Sequence, residues 1–465
     1  MDKTMIAYCG TYCGVCEWKE KLGCKRVQSE CRRYAYHVEW GGIMAMKKQW
    51  NKLTAMLLVA GMAVSMCLSM TGCTTASATN LMDGVTPRDV AADVDLTAYS
   101  AAVTDFSVRL FQNSTEPGKN TLISPFSVLC ALAMTANGAK GETLSQMEDV
   151  LGLTTAELNA FIHTYMEQLP EAETYKLNLA NSIWFTDKDS FTVNEDFLQT
   201  NADYYGAGIY KAPFDDSTLK DINNWVEDNT DGMIKDILDQ IPESVVMYLV
   251  NALAFDAEWQ KVYEETQVKD GVFTTEDGIE RKVELMHSEE HRYLEDKNAA
   301  GFLKYYDDRS YAFVALLPNE GVSVEEYVAT LTGEHLQELL NAADTSTVFA
   351  AIPKFESEYS VEMREILMEM GMPSAFGQGN TDFSGLGTST EGDIAISRVL
   401  HKTYIAVDEK GTKAGAATVV EANAGSAPVE PEETKTVILD RPFVYMLIDC
   451  ENNLPFFIGT VMDVE

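Results

Sequence analysis

The chain has 465 residues, of which 46% are hydrophobic, and a formal net charge of −37. This length and apolar content suffice for one large globular core. Residues 1–72 carry 10 basic and 5 acidic side chains, so the net charge of residues 73–465 is −42. Such an acidic surface repels phosphate backbones, which argues against a nucleic-acid partner and favours a cationic protein.

The first 45 residues form a cysteine-rich segment. Cys13 and Cys16 have a spacing typical of zinc ligands, but the segment ends before a core could form. An export signal follows it, and such a signal is read only at an N-terminus. We therefore interpret residues 1–45 as lying ahead of the true start, at Met44 or Met46. A redox or metal protein using these cysteines is the alternative: Cys9, Cys13, Cys16, Cys24 and Cys31.

Residues 46–72 are predicted to be a secretory signal. Lys47 and Lys48 form a basic head, and residues 53–70 are apolar and uncharged. Small and polar residues follow, without the basic flank that would stop a spanning helix. Cleavage is therefore favoured over a membrane span.

The end of this signal resembles a bacterial lipoprotein signal, which implies lipidation of Cys73. Cleavage near Ala76 or Ala78 without lipidation is the alternative. Residues 73–95 would then be a flexible tether to a domain over residues 96–465. We expect an exported, extracellular protein anchored to the bacterial surface.

The body from about Leu96 is predicted to be α+β, because short apolar runs alternate with amphipathic stretches. It contains only Cys130 and Cys450, too few for a disulfide framework. Several strand candidates are apolar on both faces, as the strands of a covered sheet must be. The candidates span residues 177–185, 246–255, 311–318, 346–355, 402–407, 443–449 and 455–461.

A helix is predicted to begin after Ser124. Serine is a good N-cap, and Pro125 stands at the first helical position, where its missing N–H has no consequence. Apolar residues recur behind it at helical spacing, and Asn137 and Gly138 end it.

Six dispersed segments of the body carry a family resemblance. They span residues 120–147, 222–238, 250–260, 370–386, 399–418 and 440–448. In this order they resemble the serpins. The resemblance implies three β-sheets, about nine helices and an exposed reactive loop over about Glu409–Asp440. It also implies a protease inhibitor without catalytic residues, cofactor or metal.

The resemblance assigns roles to five residues in the body. Ser124, Ser127, Asn251 and His401 match the family's shutter, the polar cluster beneath the strands that part to admit the loop. Hydroxyl, amide and imidazole groups can exchange hydrogen bonds between two states. Trp259 matches the aromatic residue of the breach, at the top of the opening sheet.

The start of the loop alternates in a way that permits strand insertion. Thr412, Ala414, Ala416 and Thr418 share one face, whereas Lys413 falls on the other, so burying the first face desolvates no charge. The resemblance makes these residues the hinge, together with Glu409 and with Gly411, which is expected to supply a bend. Lys413 and Gly415 depart from the family's usual Glu and Ala.

Counting from Glu409 as the family does places the reactive bond between Gly425 and Ser426. Ala424 and Ala427 are neighbouring candidates, because the distal loop is longer than usual. Small residues there suit elastase-like or subtilisin-like proteases and do not suit trypsin-like pockets.

These features predict a monomer that inhibits serine proteases with small primary pockets through a covalent complex. Residues 154–176 are mostly acidic, so no heparin binding is expected. A non-inhibitory serpin that acts as a binding protein is the nearest alternative. An enzyme would have to rely on the lone His401, since no nucleophile elbow or metal pair is present.

Overall fold

The computed structural model describes residues 78–464, except residues 92, 170–174, 189, 243–244, 391 and 413–433. The cysteine-rich segment, the signal, Cys73 and most of the reactive loop therefore lie outside the described residues. Within the described ranges, no helix is long and apolar enough to cross a membrane, and no group of His, Cys, Asp or Glu side chains could hold a metal ion.

Nine α-helices lie in the described part of the chain, as expected. They are α1 (Thr97–Ser114), α2 (Pro125–Ala136), α3 (Gly141–Leu151), α4 (Thr155–Gln168), α5 (Glu195–Tyr205), α6 (Asp216–Asn229), α7 (Val324–Thr330), α8 (Gly333–Asn341) and α9 (Arg364–Met370). Two short 3₁₀ helices span Glu265–Gln267 and Pro373–Phe376.

Sheet A has seven strands. In spatial order they are β1 (Thr79–Asn80), β5 (Gly208–Ala212), β3 (Tyr175–Thr186), β6 (Met247–Glu258), β16 (Gly411–Thr412), β15 (Arg398–Val407) and β13 (Phe355–Glu362). Because β16 has only two residues, β6 and β15 also pair directly with each other along their lower parts.

Two further large sheets complete the three that were expected. Sheet B has the order β2 (Thr121–Ile123), β19 (Leu454–Val461), β18 (Phe443–Asp449), β11 (Tyr311–Pro318), β10 (Ala299–Tyr305) and β9 (Tyr293–Glu295). Sheet C has the order β17 (Lys435–Ile438), β12 (Val348–Pro353), β8 (Glu280–Glu290) and β7 (Val268–Thr274). A small ribbon joins β4 (Phe191–Val193) to β14 (Gly387–Ser389).

Both faces of the centre of sheet A are covered, which explains its long apolar strands. On one face, Ile222 and Val226 of α6 pack against Val250 and Ala252 of β6 in one buried cluster. On the other face, α2 is buried along its whole length, and it begins as predicted. Ser124 accepts a hydrogen bond from the backbone N–H of Ser127 at 3.3 Å.

The segment before α1 lies against the domain, whereas a free tether was expected over residues 73–95. Thr79 pairs with Lys211 at the edge of sheet A. Further along, Arg88 donates from Nε and Nη2 to Asp203, whose side chain is only 2% exposed. An edge strand and a charge-assisted pair therefore fix the described part of this segment.

Candidate functional site: the seam between β6 and β15

The lower part of the seam between β6 and β15 is closed. The strands run parallel, and Arg398–Thr403 pair with Tyr248–Leu253, with His401 directly opposite Asn251. Above Leu253 and Thr403 the two strands separate. A third strand can therefore enter only from the upper end, and it must break these pairs to advance.

The structure brings the four predicted shutter residues together beneath this seam. The backbone N–H of Ser124 donates to His401 Nε2 at 3.0 Å, and His401 Nδ1 lies 2.5 Å from Asn251 Oδ1. All four residues are at most 1% exposed. The four side chains thus belong to one buried, hydrogen-bonded cluster.

A fifth residue, Asn181 of β3, belongs to the same cluster and was not foreseen. Its Oδ1 accepts hydrogen bonds from Asn251 Nδ2 at 2.7 Å and from Ser127 Oγ at 3.4 Å. Asn181 lies directly opposite Asn251 in the β3–β6 ladder. The available signal was weak, because Asn181 is one of three polar residues in the strand candidate over residues 177–185.

His401 is held in its neutral form. A backbone N–H can only donate, so Nε2 accepts from Ser124, and Nδ1 carries the proton that it donates to Asn251. Burial without a counter-charge lowers the pKa of His401 to about 3. The imidazole therefore contributes hydrogen bonds and no charge.

This histidine should make the native form sensitive to mild acid. Between its ordinary pKa of 6.5 and the native value of about 3 the unfolded chain binds the extra proton, so stability falls as the pH falls. The contribution is fully present above 6.5. Going from about pH 7.5 to about pH 5 should remove about 2 kcal/mol.

The matched variant is His401→Gln, whose amide can accept from Ser124 and donate to Asn251 without titrating. Denaturant unfolding of both proteins at the two pH values measures the difference. The wild type should lose about 2 kcal/mol more than the variant over this range. Equal losses in the two proteins would show that His401 does not set this acid sensitivity.

At the upper end of the seam, two of the predicted hinge residues, Gly411 and Thr412, form a short strand between β6 and β15. Thr412 pairs with Ala257 on one side and with Val407 on the other. Its side chain is fully buried, and its hydroxyl lies 2.5 Å from the hydroxyl of Tyr306. Thr412 thus faces inward, as the alternation predicted for the first member of its set.

Gly411 is needed for a different reason from the bend that was expected. Its φ is outside the left-handed region, and a Cβ added there would lie 1.9 Å from the carbonyl oxygen of Ala257. The residue is therefore a close-approach glycine, which allows the hinge backbone to lie against β6.

The turn from β15 to β16 is held by Trp259 and its neighbours. Trp259 donates from its backbone N–H to the carbonyl of Lys410 and from Nε1 to the carbonyl of Asp408, both at 2.8 Å. The backbone N–H of Tyr263 donates to the carbonyl of Glu409 at 2.9 Å. Trp259 is 2% exposed, so it is both a core anchor and a hydrogen-bond donor to the hinge.

The side chain of Glu409 adds an ion pair to this turn. Its carboxylate lies 2.9 Å from Lys354 Nζ, and this hydrogen bond lowers the pKa of Glu409. Lys354 follows β12 and also contacts Glu284 of β8 at 3.2 Å. The hinge is thereby connected to sheet C. Neither Lys354 nor Tyr306 was foreseen, because nothing in their local sequence marks them.

The remaining predicted site residues lie outside the described part of the chain, and their roles stay predictions. They are the hinge residues Ala414, Ala416 and Thr418, the reactive-bond candidates Ala424, Gly425, Ser426 and Ala427, and the lipidation candidate Cys73.

The three-sheet fold and the seam define a serpin, and comparison with known proteins agrees. The family model described as Serpin (serine protease inhibitor) matches residues 101–464, so the chain belongs to the serpin family. It is 30% identical to an uncharacterised serpin-like protein of Thermococcus kodakarensis, over 78% of this chain and 85% of that one. It is 29% identical to the leukocyte elastase inhibitor of Equus caballus, over 75% and 94%.

Solved structures give the same result. The thermophilic serpin tengpin in its native state is 49% identical, with a TM-score of 0.80 over 83% of this chain and 100% of that one. Tengpin in its latent state gives 46% identity and a TM-score of 0.70, over 80% and 99%.

Proposed function

We propose that this serpin is a suicide inhibitor of serine proteases with small primary pockets. A target serine attacks the reactive bond and forms an acyl-enzyme, and the loop then inserts between β6 and β15 before water completes hydrolysis. The observation that carries the proposal is the start of this strand: Gly411 and Thr412 already pair in the seam. The chain itself supplies the bait and no catalytic residue.

The register of β16 gives a position to each later hinge residue. Since Thr412 lies opposite Ala257 and Val407, each further residue moves one step down both neighbouring strands. Residue 418 then arrives opposite Asn251 and His401, which already face each other.

A threonine is well suited to that level of the seam. Entry of the strand separates Asn251 from His401, and each then needs a new hydrogen-bond partner. The hydroxyl of Thr418 can donate one hydrogen bond and accept others. The polar cluster can thus remain satisfied in both states, which supports insertion over a loop that stays outside.

The small residues around the proposed reactive bond, Gly425–Ser426, support an elastase-like or subtilisin-like target. The leukocyte elastase inhibitors of Equus caballus and Bos taurus are relatives over three quarters of this chain. The net charge of −42 over residues 73–465 should accelerate encounter with basic proteases, in a salt-dependent manner.

Incubation with neutrophil elastase, followed by a denaturing gel, tests the proposal. The expected result is a detergent-stable band with the summed mass of protease and inhibitor. Sequencing of the released C-terminal fragment should begin at Ser426, or at a neighbouring residue. Complete loop cleavage without the stable band would refute inhibition and leave a binding protein.

We also propose that the mature protein is an exported monomer held at the cell surface through a lipid on Cys73. The basic head, the apolar stretch and the small residues before Cys73 support this. Mass spectrometry of the cell-associated protein should show an N-terminal peptide that begins at a lipid-modified Cys73. An unmodified N-terminus near Ala76 or Ala78 would contradict the anchor.

A further inference from the structure

A lysine is buried beneath the two residues that hold the hinge turn. Lys304 of β10 is 2% exposed, and its Nζ lies 4.3 Å from the ring centre of Tyr263 and 5.3 Å from that of Trp259. The same Nζ donates to Glu290 Oε1 at 2.9 Å and contacts the carbonyl of Lys261 at 3.4 Å. A buried ammonium is tolerated only with such partners.

These contacts fix the geometry of Trp259 from below. The ring of Trp259 is also stacked on Tyr306, with 4.5 Å between ring centres and 11° between planes. β6 ends one residue before Trp259, β10 brings Lys304 against the indole, and Glu290 at the end of β8 pairs with Lys304. A cation is attracted to the faces of desolvated aromatic rings, and its side chain also fills the space beside them. Both effects restrain the position of the rings.

The restrained residues present three donors that bond to backbone carbonyls of the turn between β15 and β16. Trp259 holds the carbonyls of Asp408 and Lys410, and Tyr263 holds that of Glu409. Within the turn, the Asp408 carboxylate accepts from the backbone N–H groups of Lys410 and Gly411 at 2.8 and 3.1 Å. The turn is therefore fixed by its own hydrogen bonds and by those from Trp259 and Tyr263.

This fixed turn is the start of the strand that must insert. Val407 and Thr412 form the first pair of an antiparallel hairpin whose second arm is the loop itself. Because this hairpin is already closed in the native state, the loss of chain entropy on closing it precedes the encounter with a protease. Later residues then add to an existing ladder. A looser turn would have to be ordered during the lifetime of the acyl-enzyme.

We propose that Lys304 is a positioning residue for loop insertion, acting through Trp259 and Tyr263 on the turn at Asp408–Gly411. It touches neither the protease nor the reactive bond. The proposal rests on the proposed inhibitory function, and it concerns the competition between insertion and hydrolysis of the acyl-enzyme.

The test is the partition ratio, the amount of cleaved inhibitor divided by the amount of covalent complex, measured with elastase on denaturing gels. The main variant is Lys304→Met with Glu290→Gln, which removes the cation without leaving an unpaired buried carboxylate. We expect the ratio to rise about tenfold, because insertion slows while deacylation does not. The rate of loop cleavage should stay unchanged.

Two variants separate positioning from general stability. Lys304→Arg keeps a cation against the rings and should restore the ratio to within about threefold of the parent. Arg281→Met removes a different paired cation, which is partly exposed and bonded to Asp463, and should leave the ratio unchanged.

The proposal is overturned if the folded double variant keeps the parental ratio, or if Arg281→Met raises the ratio equally. Should the double variant not fold, Lys304→Gln decides, because its neutral amide removes the cation from the rings but can still donate to Glu290, and an unchanged ratio there overturns the proposal. If the parent itself forms no covalent complex, the proposed inhibitory function fails instead.

Discussion

Exchanging Lys413 with Ala414, through the double substitution Lys413→Ala and Ala414→Lys, should convert the inhibitor into a substrate. The register places residue 414 opposite Phe255 and Ile405, which are 2% and 1% exposed. The moved ammonium would have to enter that apolar layer, at a penalty of several kcal/mol. Insertion should slow by about a thousandfold or more, so the acyl-enzyme should be hydrolysed before the loop inserts.

The exchange leaves loop composition and net charge unaltered, so only the face that carries the charge changes. In the parent, residue 413 inserts opposite Asp256, on the half-exposed face, where a lysine is compatible with the neighbouring carboxylate. The control is Lys413→Ala, which should still form the covalent complex with elastase. Complex formation by the exchanged protein at the parental yield would disprove the inserted register.

Asn251→Ala should destabilise the polar cluster beneath the seam between β6 and β15. The substitution removes the acceptor of His401 Nδ1–H and the donor to Asn181, which leaves buried polar groups unpaired. We expect a loss of about 3 kcal/mol in the stability of the native form. The closed seam should also open more readily, so inhibitory activity should decay faster on storage at moderate temperature.

Asn201→Ala is the matched control, because Asn201 is equally buried but lies in α5, where its amide donates to the carbonyl of Phe197. Both substitutions should lower the unfolding midpoint. Only Asn251→Ala should shorten the half-life of inhibitory activity disproportionately. If both half-lives fall in proportion to the loss of stability, the polar cluster is ordinary core structure and not a gate.

Local sequence signals predicted the α+β class and individual elements, whereas the arrangement into three sheets came from the family resemblance. The apolar run at residues 311–318 is strand β11, and the run at 443–449 is β18, both with the predicted bounds. Ser124 followed by Pro125 marked the start of α2 correctly. These signals are local, because capping and side-chain alternation are set by neighbouring residues.

The site could be predicted only where family motifs marked it. The four shutter positions came from the resemblance, whereas Asn181 joins them through cross-strand pairing with Asn251. Likewise, Lys304 reaches Trp259 only through the packing of β10 against the end of β6. Contacts between residues distant in sequence depend on register, which local patterns do not specify.

Tertiary packing gives two features, Gly411 and the segment before α1, roles other than those expected from the sequence. Gly411 was expected to bend the chain, yet the backbone of Ala257 lies too close for any side chain at that position. The polar segment before α1 was expected to be a tether, but its composition could not reveal that Arg88 pairs with the buried Asp203.

A crystal structure of the protein after loop cleavage tests the central claim most directly. The account predicts that the chain from Gly411 onward forms a new strand between β6 and β15, in the register already set by Thr412. Thr418 should then lie between Asn251 and His401, whose direct hydrogen bond should be gone. A cleaved protein in which Arg398–Thr403 still pair with Tyr248–Leu253, and the loop lies outside sheet A, would contradict it.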